Sequence, residues 1–474
     1  MLDAVDFSGR PFHFIGIGGI GMSALAQVLT QRMLPVSGSD LASSNITQRL
    51  EAQGAQIFLT QGAANITQVA QGVLPQVVCS TAINPGNSEY RAAVELGCPI
   101  FHRSDLLAAL MKQYQGIAIA GTHGKTTTSS MVGYLLLKAG LDPTIVIGGE
   151  VNAWAGNAHV GKGVHFVAEA DESDGSLVKH SAQIGVITNI ELDHPDHYTT
   201  LEQVIDTFQI FASQCQQVIG CIDSPAVKEF IQPAITYSLW QSTADYTVDQ
   251  VAYGADGTSA LIIERGQVLG RLNLPILGKH NLSNALAAIA IGRLVGLEFS
   301  QIASILTTFE GARRRFEHRG EYNHILFIDD YGHHPSEIQV TLAAARLRAE
   351  STTDPRRVVA VFQPHRYSRT LTFLSEFAES FGNADVVITT DIYSAGEPDL
   401  GQVTGQQLAD AIATHHPHST YQPSLHTVSA YLMETLLPGD LVLFLGAGNL
   451  NRVIPELMAF YQKIEQKQPM PSLR

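Results

Sequence analysis

At roughly 150 residues per domain, a chain of 474 residues has room for about three domains, and 45% hydrophobic content is enough for several separate cores. A net charge of −15 argues against a nucleic-acid partner, and any phosphate group this chain binds must be met by a local cluster of cations. The opening MLDAVDFSGR is acidic without an apolar leader core, and no apolar run is long enough to span a bilayer, so the expectation is a cytoplasmic chain with no membrane insertion.

The elements alternate in chain order. Pro11 to Ile15 reads as a short strand, Met22 to Met33 as a helix, Leu34 to Ser37 as a second strand and Gln76 to Ser80 as a later one. A new unit opens near residue 113 with the strand Gly116 to Ala120, followed by strands at Thr144 to Ile147, Val164 to Ala168 and Gly185 to Thr188. From Tyr237 to Leu274 the pattern becomes short alternating strands with a hairpin turn at Asp256-Gly257, an antiparallel annex. Beyond Phe316 strands at Ile325 to Ile328, Val358 to Phe362, Val386 to Thr389 and Leu441 to Leu445 alternate with helices. The last helix is expected from Leu450 to Ile464, with a frayed tail from Glu465. The fold class is α/β: a Rossmann-like N-terminal domain (1–112), a P-loop-type central ATPase domain with the annex (113–316) and a Rossmann-like C-terminal domain (317–474). The four cysteines form no CxxC pair and read as reduced thiols.

Two glycine-rich loops carry phosphate chemistry. Gly16 to Gly21 fits GxGxxG between strand and helix, where Gly18, Gly19, Ile20 and Gly21 offer backbone N–H groups to a diphosphate. Asp40, at the end of the next strand, stands where an acid holds a ribose hydroxyl; NAD and UDP both satisfy this pattern. Gly121-Thr122-His123-Gly124-Lys125-Thr126-Thr127 follows the strand Gly116 to Ala120. Lys125 can neutralise a triphosphate there, and the Thr126 hydroxyl can reach Mg²⁺. The general P-loop has four residues between its glycines and this loop has two, with Ile119 where the first glycine would stand.

Acidic runs close the next two strands: Glu169 to Asp174, and Glu191 to His197 with Asp193, His194 and Asp196. Groups just past the strand C-termini of an open parallel sheet face its ligand crevice, so both runs can meet the phosphates, although Asp171, Asp174 and Asp196 read equally well as solvated loop acids. Asn281 and Asn284, in GKHNLSN, can read a base edge; Asn281 can instead be a helix cap. Arg313-Arg314-Arg315 is at even odds an exposed linker face, whereas QPHRYSR (363–369) sits at a strand end. His333 follows its strand in the same way, which groups His333, Arg366 and Arg369 at one crevice.

Taken in order, GIGGIGM, GTHGKTTT, EADESD, TNIELDHPDHY, GKHNLSNALAA, RRFEHRG, DDYGHHPSE, FQPHRYSRT and GAGN resemble the Mur ligases of peptidoglycan synthesis over nearly the whole chain, with DDYGHHP and FQPHRY similar to the alanine-adding branch. The resemblance implies that UDP-N-acetylmuramate, ATP and L-alanine are substrates, Mg²⁺ the metal, and the assembly a monomer or homodimer. It implies that Lys125 and Thr126 hold phosphate and metal, that Glu169 and His194 bind magnesium, that Asn281 and Asn284 contact ATP, and that Arg315 lies near the transferred phosphate. Asp330, Tyr331, His333, Arg366 and Arg369 are implied to line the amino-acid and acyl end, with Lys125, Glu169, His194, Arg315 and His333 as the catalytic group. Several siblings carry a carbamylated lysine downstream of DHxD; the same count from His194 reaches Gln209, so no carbamate is expected. An NAD oxidoreductase leaves GTHGKT unexplained, and a nucleotide switch leaves FQPHRYSRT unexplained. A recycling ligase that adds a whole peptide to the same sugar acid is the nearer rival.

Overall fold

Residues 4–70, 72–350 and 355–467 are described by the computed structural model, and they build three sheets in chain order. The first is wholly parallel, in the order Gln56–Phe58, Val36–Ser39, Phe12–Ile15, Gln76–Cys79, Ile100–His102. Phe12–Ile15 is buried along its whole length, as expected of a parallel strand covered on both faces. The chain leaves it in both directions across the sheet, so the switch point falls at the loop 16–19, which feeds the helix Ile20–Gln31. The second strand begins at Val36, two residues later than expected, because Pro35 donates no ladder hydrogen bond.

The second sheet has ten strands. Its parallel centre places Gln115–Ala120 between His165–Glu169 and Ile184–Ile187. The annex is the antiparallel run Tyr246–Gly254, Gly257–Glu264, Gln267–Leu274, turning at Asp256 as the DG pair predicts. It starts later than Tyr237, since Ile235–Tyr237 still pairs in parallel with Gln217–Cys221. The helices Lys125–Lys138 and Lys279–Leu294 are buried on most faces, and a Cβ on Gly124 would lie 2.7 Å from the Asn284 Oδ1. That contact sets the nucleotide loop against GKHNLSN.

In the third sheet, Ile325–Asp330, Asp440–Leu445, Arg357–Phe362, Val386–Thr389 and Ser419–Tyr421 run parallel, and Glu317–Tyr322 is an antiparallel edge. A 3₁₀ turn at Leu450–Arg452 precedes the last helix, Val453–Lys467, which runs past the expected end at Ile464; the rest of the expected tail lies outside the described residues. Among the described residues, no helix is long and apolar enough to cross a membrane.

Candidate active site

The loop 121–124 leaves its strand beside Thr188 and turns into the helix at Lys125. Gly121 and Gly124 have φ of +137° and +83°, and a Cβ on Gly121 would lie 1.9 Å from Thr188 Oγ1. Both conformation and space therefore require glycine at 121. Lys125 Nζ donates to the carbonyls of Gly121 (2.7 Å) and Thr122 (3.1 Å) and lies 2.9 and 3.0 Å from the Glu172 oxygens. Burial opposes its charge, but Glu172 and Asp171 hold the ammonium protonated. Burial pushes Glu172 up to about 7 against the pull of Lys125.

The acidic run 169–174 is met by cations from two domains. Glu169 accepts from Thr126 Oγ1 at 3.0 Å and from the Gly148 N–H at 2.8 Å. Arg103, from the first domain, reaches Asp171 at 3.2 Å and Asp174 at 3.5 Å. Asp171 and Asp174 are thus ion-paired rather than solvated. His194 has φ +53° and groups with Asp171 and Glu172, close enough to share a metal ion, whereas Thr126 and Glu169 form a separate oxygen pair. The structure therefore divides the residues expected to hold metal into two neighbouring sets.

The third domain is docked on the second through Arg366–Asp196 and Arg369–Asp193, next to the arginine run that ends the second domain. Arg315 donates to Thr126 Oγ1 at 3.1 Å, and its guanidinium and that of Arg314 lie over the Tyr331 ring, 5.1 and 4.9 Å from its centroid. Arg313 pairs with Glu150 at 2.9 Å, and Arg314 donates to the Gly446 carbonyl at 2.5 Å. Arg314 and Arg315 are thus held by partners in the interior of the site, whereas Arg313 stays exposed and pairs at the surface. Arg314, Phe316 and Arg366 hold left-handed backbone (φ +57°, +52° and +71°), at a cost of order 1–3 kcal/mol each where side chains are non-glycine.

Arg366 pairs with Asp196 at 2.8 Å and Glu397 at 3.3 Å, and Arg369 with Asp193 at 2.8 Å. Both arginines thus reach the DHPD segment. The His333 and His365 rings meet edge to face, 5.5 Å between centroids. His333 Nδ1 donates to the Tyr331 carbonyl at 2.9 Å, which fixes the tautomer and leaves Nε2 with its lone pair. Burial, reinforced by Arg369, pulls His333 down to about 3, and burial with His333 pulls His365 to about 2. The Asp330 carboxylate accepts from the N–H groups of Phe316 and Gly332, both at 2.7 Å, so it ties the segment after the arginine run to the third sheet; burial raises it to about 6.

A cavity of about 610 Å³ opens between the two domains, lined by Gly124, Thr127, Asn281, Asn284, Arg315 and Asp330 among others. Its size suits a nucleotide. Asn281 Nδ2 donates to the Leu277 carbonyl at 2.7 Å, leaving its oxygen toward Asn284 Nδ2 at 3.4 Å. In the first domain Asp40 accepts from the Gly18 N–H at 2.8 Å, and Asn157 of the second donates to the Ile20 carbonyl. Gly19 caps the helix Ile20–Gln31, and Gly21 lies against Arg103. Gln209 bonds the Phe230 carbonyl at 3.1 Å on the exposed side of its helix, away from the two metal-type sets. Thr207, on the buried side, lies 3.4 Å from the Tyr198 hydroxyl, which donates to the Glu172 carbonyl.

Residues 11–115 match the family described as Mur ligase family, catalytic domain, residues 119–292 the Mur ligase middle domain, and residues 314–448 the Mur ligase, glutamate ligase domain. The chain is a Mur ligase. It is similar to proteins named UDP-N-acetylmuramate–L-alanine ligase from Nostoc punctiforme (64% identical, covering 97% of this chain and 98% of that one) and Acaryochloris marina (60%, 99% of each). In fold this Mur ligase is similar to the crystal structure of UDP-N-acetylmuramate-alanine ligase from Thermotoga maritima (TM-score 0.82, 27% identity, 96% and 99% covered). It also shares the fold of a murein peptide ligase from Psychrobacter arcticus (TM-score 0.71, 23% identity, 96% and 99% covered).

Sequence reasoning about this Mur ligase passed over Glu172, Arg103 and Glu337 as site residues. Glu172 and Glu337 lie inside motifs that the sequence displays, so their acid type was a usable signal. Arg103 opens an ordinary helix, and only the approach of the first domain brings it to Asp171.

Proposed function

We infer that this Mur ligase joins L-alanine to the carboxylate of UDP-N-acetylmuramate at the expense of ATP, in peptidoglycan synthesis. What carries the reading is the near full-length match to ligases of that name, together with one site where a largely buried lysine, two acidic sets and Arg315 converge beside the docked third domain.

A carboxylate resists attack by an amine, so it must first be activated. Its oxygen attacks the γ-phosphorus of ATP and ADP departs; the amine then attacks the acyl carbon and phosphate leaves. Positioning and charge neutralisation supply most of the first step. Lys125 is placed to turn from Glu172 to the phosphates, and Arg315 to meet the transferred group beside Thr126. Asn281 and Asn284 are assigned to the adenine side of the cavity, with His123, Gly124 and Thr127 on its phosphate side. The Gly18–Gly21 turn and Asp40 are assigned to the UDP moiety, with Asp40 changing partner from the Gly18 N–H to a ribose hydroxyl. The carboxylates of Glu169, Asp171 and Glu172 with the Thr126 hydroxyl and His194 fit Mg²⁺, which when bound offsets phosphate charge.

The amino acid is assigned to the face of the third domain bearing Tyr331, His333, Arg366 and Arg369. With its conjugate acid near 3, His333 is too weak a base to hold the ammonium proton. Its Nε2 instead orients the amine by accepting an N–H hydrogen bond. We take the domains as 1–112, 113–316 and 317–474.

The test is phosphate release with UDP-N-acetylmuramate and ATP against a panel of amino acids and peptides. Release driven by L-alanine is expected; release driven only by a peptide assigns the chain to recycling instead.

A further inference from the structure

Between the second and third domains, at the border of the nucleotide cavity, lies a group of three side chains to which the reaction assigns no metal. His123 comes from the nucleotide loop, Glu191 from the end of the strand Ile184–Ile187 region, and His334 from the turn before the helix Pro335–Glu350. One ligand-type atom from each lies within 4.8 Å of the other two. His123 Nε2 is 3.4 Å from a Glu191 oxygen, within ion-pair range but not hydrogen-bonded, and the two imidazoles lie 4.7 Å apart between centroids. Both His123 Nε2 and His334 Nε2 are buried without a hydrogen-bond partner, and His334 as a whole is 4% exposed. A buried polar group left unpaired costs about 1–3 kcal/mol, so two beside one carboxylate call for a ligand.

We propose that His123, Glu191 and His334 bind a divalent transition metal of the zinc class, in a site completed only when the third domain closes on the second. Two imidazoles and one carboxylate match the three-ligand zinc arrangement, with a fourth position open. Nitrogen donors select zinc, cobalt or nickel over Mg²⁺, which takes oxygen. The surroundings are of the kind that orient metal ligands: His123 Nδ1 lies 3.1 Å from Glu337 Oε1, a carboxylate–histidine pair, and the Ser336 hydroxyl donates to Glu191 Oε2 at 2.8 Å. The protons balance. His334 Nδ1 accepts weakly from the Ser336 N–H at 3.3 Å, so ligation through Nε2 moves the ring proton to Nδ1 and gives up that contact. His123 keeps its Nδ1 proton against Glu337 and releases the one on Nε2. The site shares no residue with the Asp171, Glu172 and His194 group. Because its ligands come from both domains, the bound ion staples the closed state, and opening for product release slows.

Cobalt(II) titrated into the full chain in excess Mg²⁺ tests this. One visible absorption band of nitrogen-ligated cobalt per chain is expected, displaced by Zn²⁺, lost in His334→Gln and in Glu191→Gln, and kept in His194→Ala. Zn²⁺ is expected to depress turnover in the wild type and not in His334→Gln. Absence of the band in the wild type overturns the proposal. So does a band that survives both His334→Gln and Glu191→Gln, or one that vanishes in His194→Ala, since the ion would then sit with Asp171 and Glu172.

Discussion

Arg369 of the third domain donates through Nε to Asp193 of the second at 2.8 Å, with the two side chains 1% and 5% exposed. A charge pair this deep is paid for in desolvation and holds only while both partners are present. It links the arginine expected at the amino-acid end to the segment that carries His194, so domain closure and the metal-type sets are mechanically joined.

Arg369→Ala leaves Asp193 buried without its partner, which costs about 3–5 kcal/mol for a broken buried pair. The expected outcome is a lower melting temperature and a raised KM for L-alanine, with the KM for ATP and UDP-N-acetylmuramate nearly unchanged. Arg366, 30% exposed, should give a smaller stability effect. Pairing Arg369→Ala with Asp193→Ala should restore stability without restoring the alanine KM. A fall in kcat for every amine at constant KM would move Arg369 to the acyl phosphate.

Lys125→Met should abolish phosphate release and leave UDP-N-acetylmuramate binding intact, because the two nucleotides are assigned to different loops. It also strands Glu172, whose side chain is 2% exposed, so the variant should be destabilised and Glu172→Gln should recover part of the loss. Calorimetric titration with the UDP-sugar and thermal melts read the two effects separately. Loss of sugar binding in a folded Lys125→Met chain contradicts the separation.

Glu169→Ala and His194→Ala should each raise the Mg²⁺ concentration needed for half-maximal rate, since they stand in the two oxygen- and nitrogen-bearing sets of the site. Removal of a ligand set should shift that midpoint by about tenfold or more, by analogy with the cost of losing even outer partners of a metal site. Unchanged magnesium titrations in both variants defeat the assignment.

Stability should pass through a maximum near neutral pH. His180, His280, His333 and His365 are all held neutral by burial, at about 4, 4, 3 and 2 against an ordinary 6.5. Below 6.5 the unfolded chain binds protons that the folded chain refuses, so stability falls as pH drops toward 4, by up to roughly 1.4 kcal/mol per pH unit for each group. His123 is opposite: burial disfavours its charge, but Glu191 and Glu337 lift it to about 10. Its contribution is full below 6.5 and is lost as pH rises through 10. Denaturant midpoints at pH 5, 7 and 9 should show both limbs, and His123→Gln should flatten the alkaline one; an alkaline limb unchanged in that variant removes His123 as its cause.

The sequence by itself determined what local rules can write. A short apolar run followed by glycines and an apolar helix has few alternatives to a strand–loop–helix unit, and this happens twice, at Gly16–Gly21 and Gly121–Thr126. Acids and arginines placed just past strand ends were legible as candidate site residues for the same reason, since the parallel sheet fixes which end faces the crevice. Short edge strands such as Glu317–Tyr322 were not legible, because their pairing rather than their composition makes them strands. Only the tertiary structure decided the partners: that Arg103 reaches Asp171 from another domain, that His194 sits with Asp171 and Glu172 while Glu169 holds Thr126, and that Arg315 turns to Thr126. These choices belong to how strand-end loops and domains come together in space. That depends on complementary shape and charge between residues distant in the chain, which no local periodicity records.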